Sequence, residues 1–192
     1  MVNEAVIRTP PQYDRILARS EELQFSMNSD ALTGSLLRVL ARTKPGGSFL
    51  ELGTGCGLGT CWLLSGMSTD SSLISVDTDP RVQAIAREEL GPDPRLTWVL
   101  GDGGEFLDKC QAGFDLIYAD AWPGKYTHLD QALATLKPGG LYVIDDMLPQ
   151  ANWPADHPPK VATLLATLDA THGIDIVKLS WSTGVVIGVK HP

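Results

Sequence analysis

Residues 51–60, Glu51-Leu52-Gly53-Thr54-Gly55-Cys56-Gly57-Leu58-Gly59-Thr60, place four glycines at alternate positions at the end of an apolar run. Glycine has no Cβ, so such a loop lets the backbone pass close beneath a ligand, and a helix opening behind it presents free N–H groups. A tight strand-to-helix turn accounts for one or two of these glycines; four point to a nucleotide-like ligand. Asp77 ends the next apolar run, Ile74-Ser75-Val76-Asp77. An acid there accepts hydrogen bonds from ribose hydroxyls. It would serve equally as the N-cap of a helix opening at Pro80, although Asp79 is better placed for that. Asp120 and the pair Asp145-Asp146 end two later apolar runs, the ends at which open α/β sheets bind ligands. Three carboxylates meeting there repel one another unless positive charge lies among them, and a Mg²⁺-like ion takes such oxygen ligands. The alternative is that Asp120 only orients a cofactor or a turn while Asp145-Asp146 caps a loop. The residue types leave those two readings about even.

Alternating strands and helices must position these groups, and the hydrophobic pattern supplies them. Strands are expected at 48–52, 73–76, 96–100, 114–119 and 141–144. Helices are expected at 13–22, 31–41 with Asp30 as N-cap, 57–66, 80–90, 105–110, 126–136 and 160–170. Lys137-Pro138-Gly139-Gly140 reads as the turn that stops the helix before it. The inner strands are apolar without clean alternation, as when helices cover both faces of a mostly parallel sheet. Segments 174–181 and 184–190 are separated by Ser182-Thr183 alone. That is too short for a parallel crossover, so an antiparallel hairpin should close one edge. The stretch 148–161 contains four prolines and reads as a long functional loop.

At 192 residues the chain is expected to be one domain, with a tail and helix at 1–29 ahead of a core at 30–192. Hydrophobic residues are 43% and charged residues 20%, a globular composition, and the net charge of -8 comes with no Lys/Arg cluster. Nucleic acid is therefore not an expected partner. No apolar run approaches the roughly 20 residues that cross a bilayer, and Met1-Val2-Asn3-Glu4 lacks the pattern of a signal peptide. Cys56, Cys61 and Cys110 are an odd number without a C-x-x-C motif. They fit buried thiols in a reducing cytoplasm better than a disulfide framework or a zinc site.

The loop and Asp77 leave two cofactors open, a nicotinamide dinucleotide and S-adenosylmethionine. Three further features separate them. The sixth position of a strict G-x-G-x-x-G from Gly53 is Leu58; Gly101-Asp102-Gly103 sets a carboxylate where an adenine amine could be held; and the terminal hairpin completes seven strands. Over residues 30–192 the chain resembles a class I S-adenosylmethionine-dependent methyltransferase. The resemblance implies an α/β, Rossmann-like, seven-stranded, mostly parallel sheet with an antiparallel C-terminal hairpin strand and helices on both faces. It also implies a cofactor lying along Glu51, Gly53, Thr54, Gly55, Gly57, Asp77, Thr78, Asp102, Gly103, Asp120 and Trp122.

Asp120-Ala121-Trp122-Pro123-Gly124-Lys125-Tyr126 and Ile144-Asp145-Asp146-Met147 are similar to the cation-dependent catechol and caffeoyl-CoA O-methyltransferases. That resemblance implies a divalent ion such as Mg²⁺ on Asp120, Asp145 and Asp146, with Asp146 standing where the family has Asn. It also implies a methyl acceptor that is a small-molecule hydroxyl. The family's catalytic lysine follows the strand-four Asp by three residues, where this chain has Pro123; Lys125, two positions later, is the candidate to act in its place together with Asp120. The Phe25-Ser26-Met27-Asn28 segment resembles the part that closes over the methionine end of the cofactor, which adds Met27 to the cofactor residues. Lys125, Tyr126, His128 and His157 are the candidate bases, and Trp122 and Trp153 would flank the acceptor. Rival readings are a metal-independent or N-methyltransferase, an NAD-dependent oxidoreductase, and a cofactor-binding protein without catalysis. A homodimer through the N-terminal helices or the hairpin edge is as consistent with the sequence as a monomer.

Overall fold

The computed structural model describes residues 7–151 and 153–192; the Met1–Glu4 segment lies outside them. The order is α1 (Tyr13–Glu22), α2 (Ala31–Arg42), β1 (Ser48–Leu52), α3 (Leu58–Gly66), β2 (Ser72–Asp77), α4 (Pro80–Leu90), β3 (Leu96–Leu100), α5 (Gly103–Lys109) and β4 (Phe114–Ala119). It continues with α6 (Leu129–Thr135), β5 (Leu136–Ile144), α7 (His157–Ala170), β6 (Ile174–Leu179) and β7 (Val185–Lys190). The sheet runs β3-β2-β1-β4-β5-β7-β6. The first five strands pair in parallel, β7 lies antiparallel on β5, and β6 lies antiparallel on β7. This is the expected Rossmann-like sheet with helices on both faces. β2 and β4 flank β1 on opposite sides, so the winding reverses there, and a crevice opens beyond the carboxyl ends of these strands.

Alternation along the central strands divides the core in two. Leu50, Leu52, Ile117, Ala119, Tyr142 and Ile144 face one side with α7, while Phe49, Leu116, Tyr118 and Val143 face the other with α2 and α3. Both sides are dry, which is why the strand sequences are continuously apolar. Asp30 caps α2 through the amides of Leu32 and Thr33, and Asp79 caps α4 ahead of Pro80. The described cysteines form no disulfide; Cys56 and Cys61 are buried. Among the described residues no helix is long and apolar enough to cross a membrane.

Several boundaries differ from the sequence pattern, each for a local reason. The helix expected from Tyr126 begins only at Leu129, because residues 122–127 fold into tight turns around the Trp122 carbonyl and His128 takes a left-handed conformation (φ 54°). The Lys137–Gly140 segment does stop that helix, but it enters β5 instead of standing apart as a turn. A register shift between the Phe114↔Leu136 and Leu116↔Leu141 pairs absorbs the extra residues. Helix α5 starts at Gly103 on an Asp102 cap, two residues early. Helix α7 starts at His157, with prolines in its first turn, where their missing N–H groups go unneeded. The hairpin strands stop at Leu179 and resume at Val185, so the connection is longer than Ser182-Thr183.

Where α2 crosses α3, a Cβ at Gly34 would fall 2.1 Å from Nε1 of Trp62. Trp62 is fully buried, between the Tyr13 ring and the Arg38 guanidinium. Alanine would gain about 1 kcal/mol of helix propensity, against roughly 1–3 kcal/mol for overpacking, and a buried indole held on two sides has nowhere to go. Gly34→Ala is therefore expected to lower the melting temperature by a few degrees in calorimetry, at roughly 2–4 °C per kcal/mol for a domain of this size. A rise would mean that the indole yields.

Candidate active site

The glycine loop leaves β1 and turns under the crevice. Gly53, Gly55 and Gly57 all take positive φ (102°, 52° and 98°), which an L side chain rarely tolerates. The amides of Gly53 and Thr54 donate to the Val76 carbonyl at 2.9 and 3.2 Å, tying the loop to the end of β2. Asp77, the last residue of β2, receives the Gly55 amide on Oδ2 and the Asp79 amide on Oδ1, each at 2.8 Å. Two main-chain donors fix that carboxylate at the floor of the crevice with acceptor capacity remaining for ribose hydroxyls.

A cleft of about 500 Å³ lies over this floor. Met27, Gly53, Thr54, Gly55, Asp77, Thr78, Asp102, Gly103, Asp120 and Trp122, all expected at a cofactor, line it. Asp102 caps α5 with Oδ1, through the amides of Gly104 and Glu105, which leaves Oδ2 for an amine. The two other expected cofactor residues lie behind the lining. Gly57 packs against α4, where a Cβ would come within 2.7 Å of the Ala86 Cβ. Glu51 is fully buried; its Oε2 accepts from Thr60 Oγ1 and from Ser75 Oγ at 2.5 Å, and its Oε1 has no partner. That oxygen would lie 2.5 Å from a Cβ at Gly59, a residue of the cleft lining. An adenosyl cofactor with a free amino group fits this set: Asp77 for ribose, Asp102 for the base, and an orphaned carboxyl oxygen behind thin glycine backbone.

At the far end of the cleft, β4 and β5 deliver Asp120 and Asp145 side by side. Asp145 is 2% exposed and Lys125 5%. The Lys125 ammonium donates to the Asp145 main-chain oxygen at 2.7 Å. Burial pushes both carboxyls above the ordinary range; the charges of Asp145 and Asp146 add to the rise at Asp120, and that of Asp146 to the rise at Asp145, while the nearby Lys125 charge pulls both down. Ser29 Oγ donates to Asp120 Oδ2 at 3.1 Å and lies 3.0 Å from the Tyr118 hydroxyl. Asp145 Oδ1 receives the Thr183 hydroxyl and, at 2.8 Å, the Asp146 amide. Its Oδ2 lies 3.4 Å from the Tyr118 hydroxyl. Ser29, Tyr118 and Thr183 had no signature in the sequence. Tyr118 reads as one more buried strand residue and Thr183 as a hairpin turn; only the packing of α2 and the hairpin over the strand ends joins them.

These contacts bear on the divalent site implied for Asp120, Asp145 and Asp146. Both Asp145 oxygens and one Asp120 oxygen are already engaged by hydroxyls and an amide, and a lysine supplies positive charge to the cluster. Among the described residues no three His, Cys, Asp or Glu side chains are grouped to hold a metal ion. As arranged, the donor set does not fit a divalent cation.

Beside the carboxylates lies a second cleft of about 490 Å³, lined by Trp122, Lys125, Tyr126, Lys160 and neighbouring residues of α6 and α7. Trp122 lines both clefts. His157 packs against Trp153 (4.3 Å between centroids) and Tyr126 (5.3 Å), and its Nε2 lies 3.0 Å from the Tyr126 hydroxyl. Burial, with Lys125 and Lys160 nearby, lowers the His157 pKa, so the ring is neutral at neutral pH. Of the candidate bases, Lys125, Tyr126 and His157 thus form one cluster, of which Lys125 touches the Asp145 main chain. His128 points instead towards α5, where its ring fills the space at Gly104.

A glycine loop bound to a β2 acid, at the point where a parallel sheet reverses its winding, defines a class of α/β domain that holds an adenosyl-type ligand. Residues 50–147, about half of the chain, match the family profile described as "Methyltransferase domain", and the chain belongs to that family. It is 34% identical over 140 residues to a Mycolicibacterium vanbaalenii protein provisionally named as an O-methyltransferase, matching 68% of this chain and 62% of that protein. The match thus spans somewhat less than two thirds of that relative's length. The O-methyltransferase TomG from Streptomyces achromogenes, solved with S-adenosylmethionine, superposes with a TM-score of 0.84 at 19% identity, over 98% of this chain and 93% of that one. The Bacillus cereus O-methyltransferase solved with S-adenosylhomocysteine gives 0.83 at 19% identity, over 97% and 94%. At such identities the two structures establish the fold.

Burial, opposed by two hydroxyl donors, moves the Glu51 carboxyl from 4.5 up to about 8. The folded chain therefore keeps a proton that the unfolded chain releases, and the stability of the ligand-free protein falls as pH rises from about 4.5 through 8. In urea unfolding at pH 5 and pH 8.5, Glu51→Gln is expected to lose less stability between the two pH values than wild type. Equal losses would show that Glu51 is ionised in the fold.

Proposed function

We propose that this domain transfers a methyl group from S-adenosylmethionine to a hydroxyl oxygen of a small planar acceptor. One observation carries the reading. Trp122 lines both clefts, so they adjoin at its ring, with Asp120 in the wall of the cofactor cleft and Lys125 in the wall of the aromatic cleft. When bound, S-adenosylmethionine supplies a methyl already activated by a positive sulfur. The chain's own task is then alignment and removal of a proton. Asp77 and the Gly55 turn hold the ribose, and Asp102 the adenine amine. Trp122 stacks on a planar ring; Trp153, expected beside it, lines neither cleft and packs on His157 instead. Asp120, or neutral His157 with the Tyr126 hydroxyl, receives the acceptor's proton.

Membership of the methyltransferase family supports S-adenosylmethionine over a nicotinamide cofactor, as do the ligands of the TomG and B. cereus structures. The name of the M. vanbaalenii relative supports oxygen as the atom methylated. The metal-assisted form of the reaction would require Ser29 and Thr183 to release the carboxylates they now engage, with the Lys125 ammonium already beside them on the Asp145 main chain, and we favour direct handling of the hydroxyl by the chain.

Titration calorimetry with S-adenosylhomocysteine should give one site per chain. Asp77→Ala should weaken it about 10- to 100-fold, as expected when a charged acceptor of hydrogen bonds is removed. Methyl transfer from labelled S-adenosylmethionine to a panel of catechols and other hydroxylated aromatics should follow. Binding of NADH in place of S-adenosylhomocysteine would refute the reading. Binding of S-adenosylhomocysteine with no transfer to any acceptor in the panel would make the chain a cofactor-binding protein.

A further inference from the structure

We propose that the Lys125 ammonium is the built-in cation of this site: from its seat on the Asp145 main chain it supplies the counter-charge that a divalent ion would give the strand-end carboxylates, and it presents a donor to the acceptor's oxygen. The inference rests on the methyl-transfer reading and names the group that holds the acceptor.

Three observations carry it. The first is the route of the chain. Gly124 has a positive φ of 83°, and a Cβ there would strike Leu52 at 2.5 Å. The Gly124 amide donates to the Thr127 carbonyl at 2.7 Å, and the buried Tyr142 hydroxyl donates to the Gly124 carbonyl. The amides of Lys125, Tyr126 and Thr127 all donate to the Trp122 carbonyl, at 3.2, 2.9 and 3.2 Å. This turn is pinned at both ends, and it sends the Lys125 side chain inward beneath the end of β5.

The second is charge. A buried ammonium is costly unless paired, and so is a buried pair of carboxylates. Lys125 sits against the Asp145 main chain at 2.7 Å and interacts favourably with both Asp120 and Asp145. One hydrogen bond to a carbonyl leaves an ammonium two further donors. The third is access. Despite its burial, Lys125 lines the aromatic cleft, 5.6 Å from the centre of the Tyr126 ring. The same side chain therefore bonds the Asp145 main chain and borders the space for the acceptor.

In the resulting step the acceptor oxygen, oriented by the Lys125 N–H, forms a bond to the methyl carbon as the carbon–sulfur bond breaks. That bond's electron pair remains on sulfur, and the hydroxyl proton passes to the Asp120 carboxylate. No oxidant, reductant or metal ion enters the balance.

The test compares wild type with Lys125→Met and Lys125→Arg. Free Mn²⁺ is followed by its paramagnetic resonance signal, and S-adenosylhomocysteine binding by calorimetry. Wild type should leave the Mn²⁺ signal unchanged, and its methyl transfer should survive chelator. Lys125→Met should bind about one Mn²⁺, because the carboxylates have lost their counter-charge, and its kcat should fall by roughly 100- to 1,000-fold, the cost of one preorganised donor at a reacting oxygen. Lys125→Arg, which keeps the charge, should exclude Mn²⁺ as wild type does. Stoichiometric Mn²⁺ binding by wild type, or activity abolished by chelator and restored by metal, would overturn the proposal even if Lys125→Met failed to fold. A folded Lys125→Met that bound no Mn²⁺ would overturn it as well. Cofactor binding separates the two levels: if wild type binds no S-adenosylhomocysteine, the methyl-transfer reading itself fails.

Discussion

Strands β4 and β5 run side by side and in parallel, and each is followed by an aspartate that the fold covers with the approach to α2, the hairpin connection and the turn after β4. Two carboxylates in that position repel each other and have lost most of their water, so the surrounding chain has to supply hydrogen bonds and positive charge. Much of the local structure answers that demand. Ser29 at the approach to α2, Tyr118 within β4 and Thr183 in the hairpin connection all reach the same pair, and Lys125 from the turn brings its charge to the Asp145 main chain. Asp30 caps α2 with one oxygen and takes the Ser182 hydroxyl with the other, so α2 and the C-terminal hairpin are locked together over the strand ends. The acid pair thus fixes the positions of segments about 150 residues apart in sequence.

The other end of the crevice is governed by steric closeness. Gly53 leaves its Cβ position 2.6 Å from the Asp120 carbonyl, and Gly57 leaves its own against α4. Side chains at these points would push the loop away from the end of β4 or from α4. With them absent, main chain lies where a ligand needs it, and the Asp77 carboxylate is set by two amides. The glycines and Asp77 form one device, since the loop amide that orients the acid is available only because the loop can turn there.

The elements whose signals are local were legible in the sequence. Helix α1 runs over the expected Tyr13–Glu22, Asp30 and Asp79 cap as their types require, and the strand cores fall on the apolar runs. The late start of α6 was hidden, because His128 has no special sequence character and takes its left-handed conformation from the turns before it. The longer β5 was hidden for a related reason. Pro138 and the glycines after it read as a turn, but pairing with β4 around a register shift draws them into the sheet. Ten of the twelve expected cofactor residues line the cleft; Glu51 and Gly57 stand behind it because a strand's side chains alternate faces and because the loop itself packs on α4.

The sequence by itself determined the sheet of parallel strands, the glycine loop with its β2 acid, and the presence of carboxylates at neighbouring strand ends. Each of these is encoded by residue type within a few positions. Only the tertiary structure decided what compensates those carboxylates. Lys125 lies five residues from Asp120 and twenty from Asp145, and nothing in spacing says that the Gly124 turn will carry its ammonium under β5. Which oxygens remain free for a ligand depends on hydroxyls from Ser29 and Thr183, which only packing brings to the same point. Electrostatic compensation is a sum over neighbours in space, and sequence lists neighbours only along the chain.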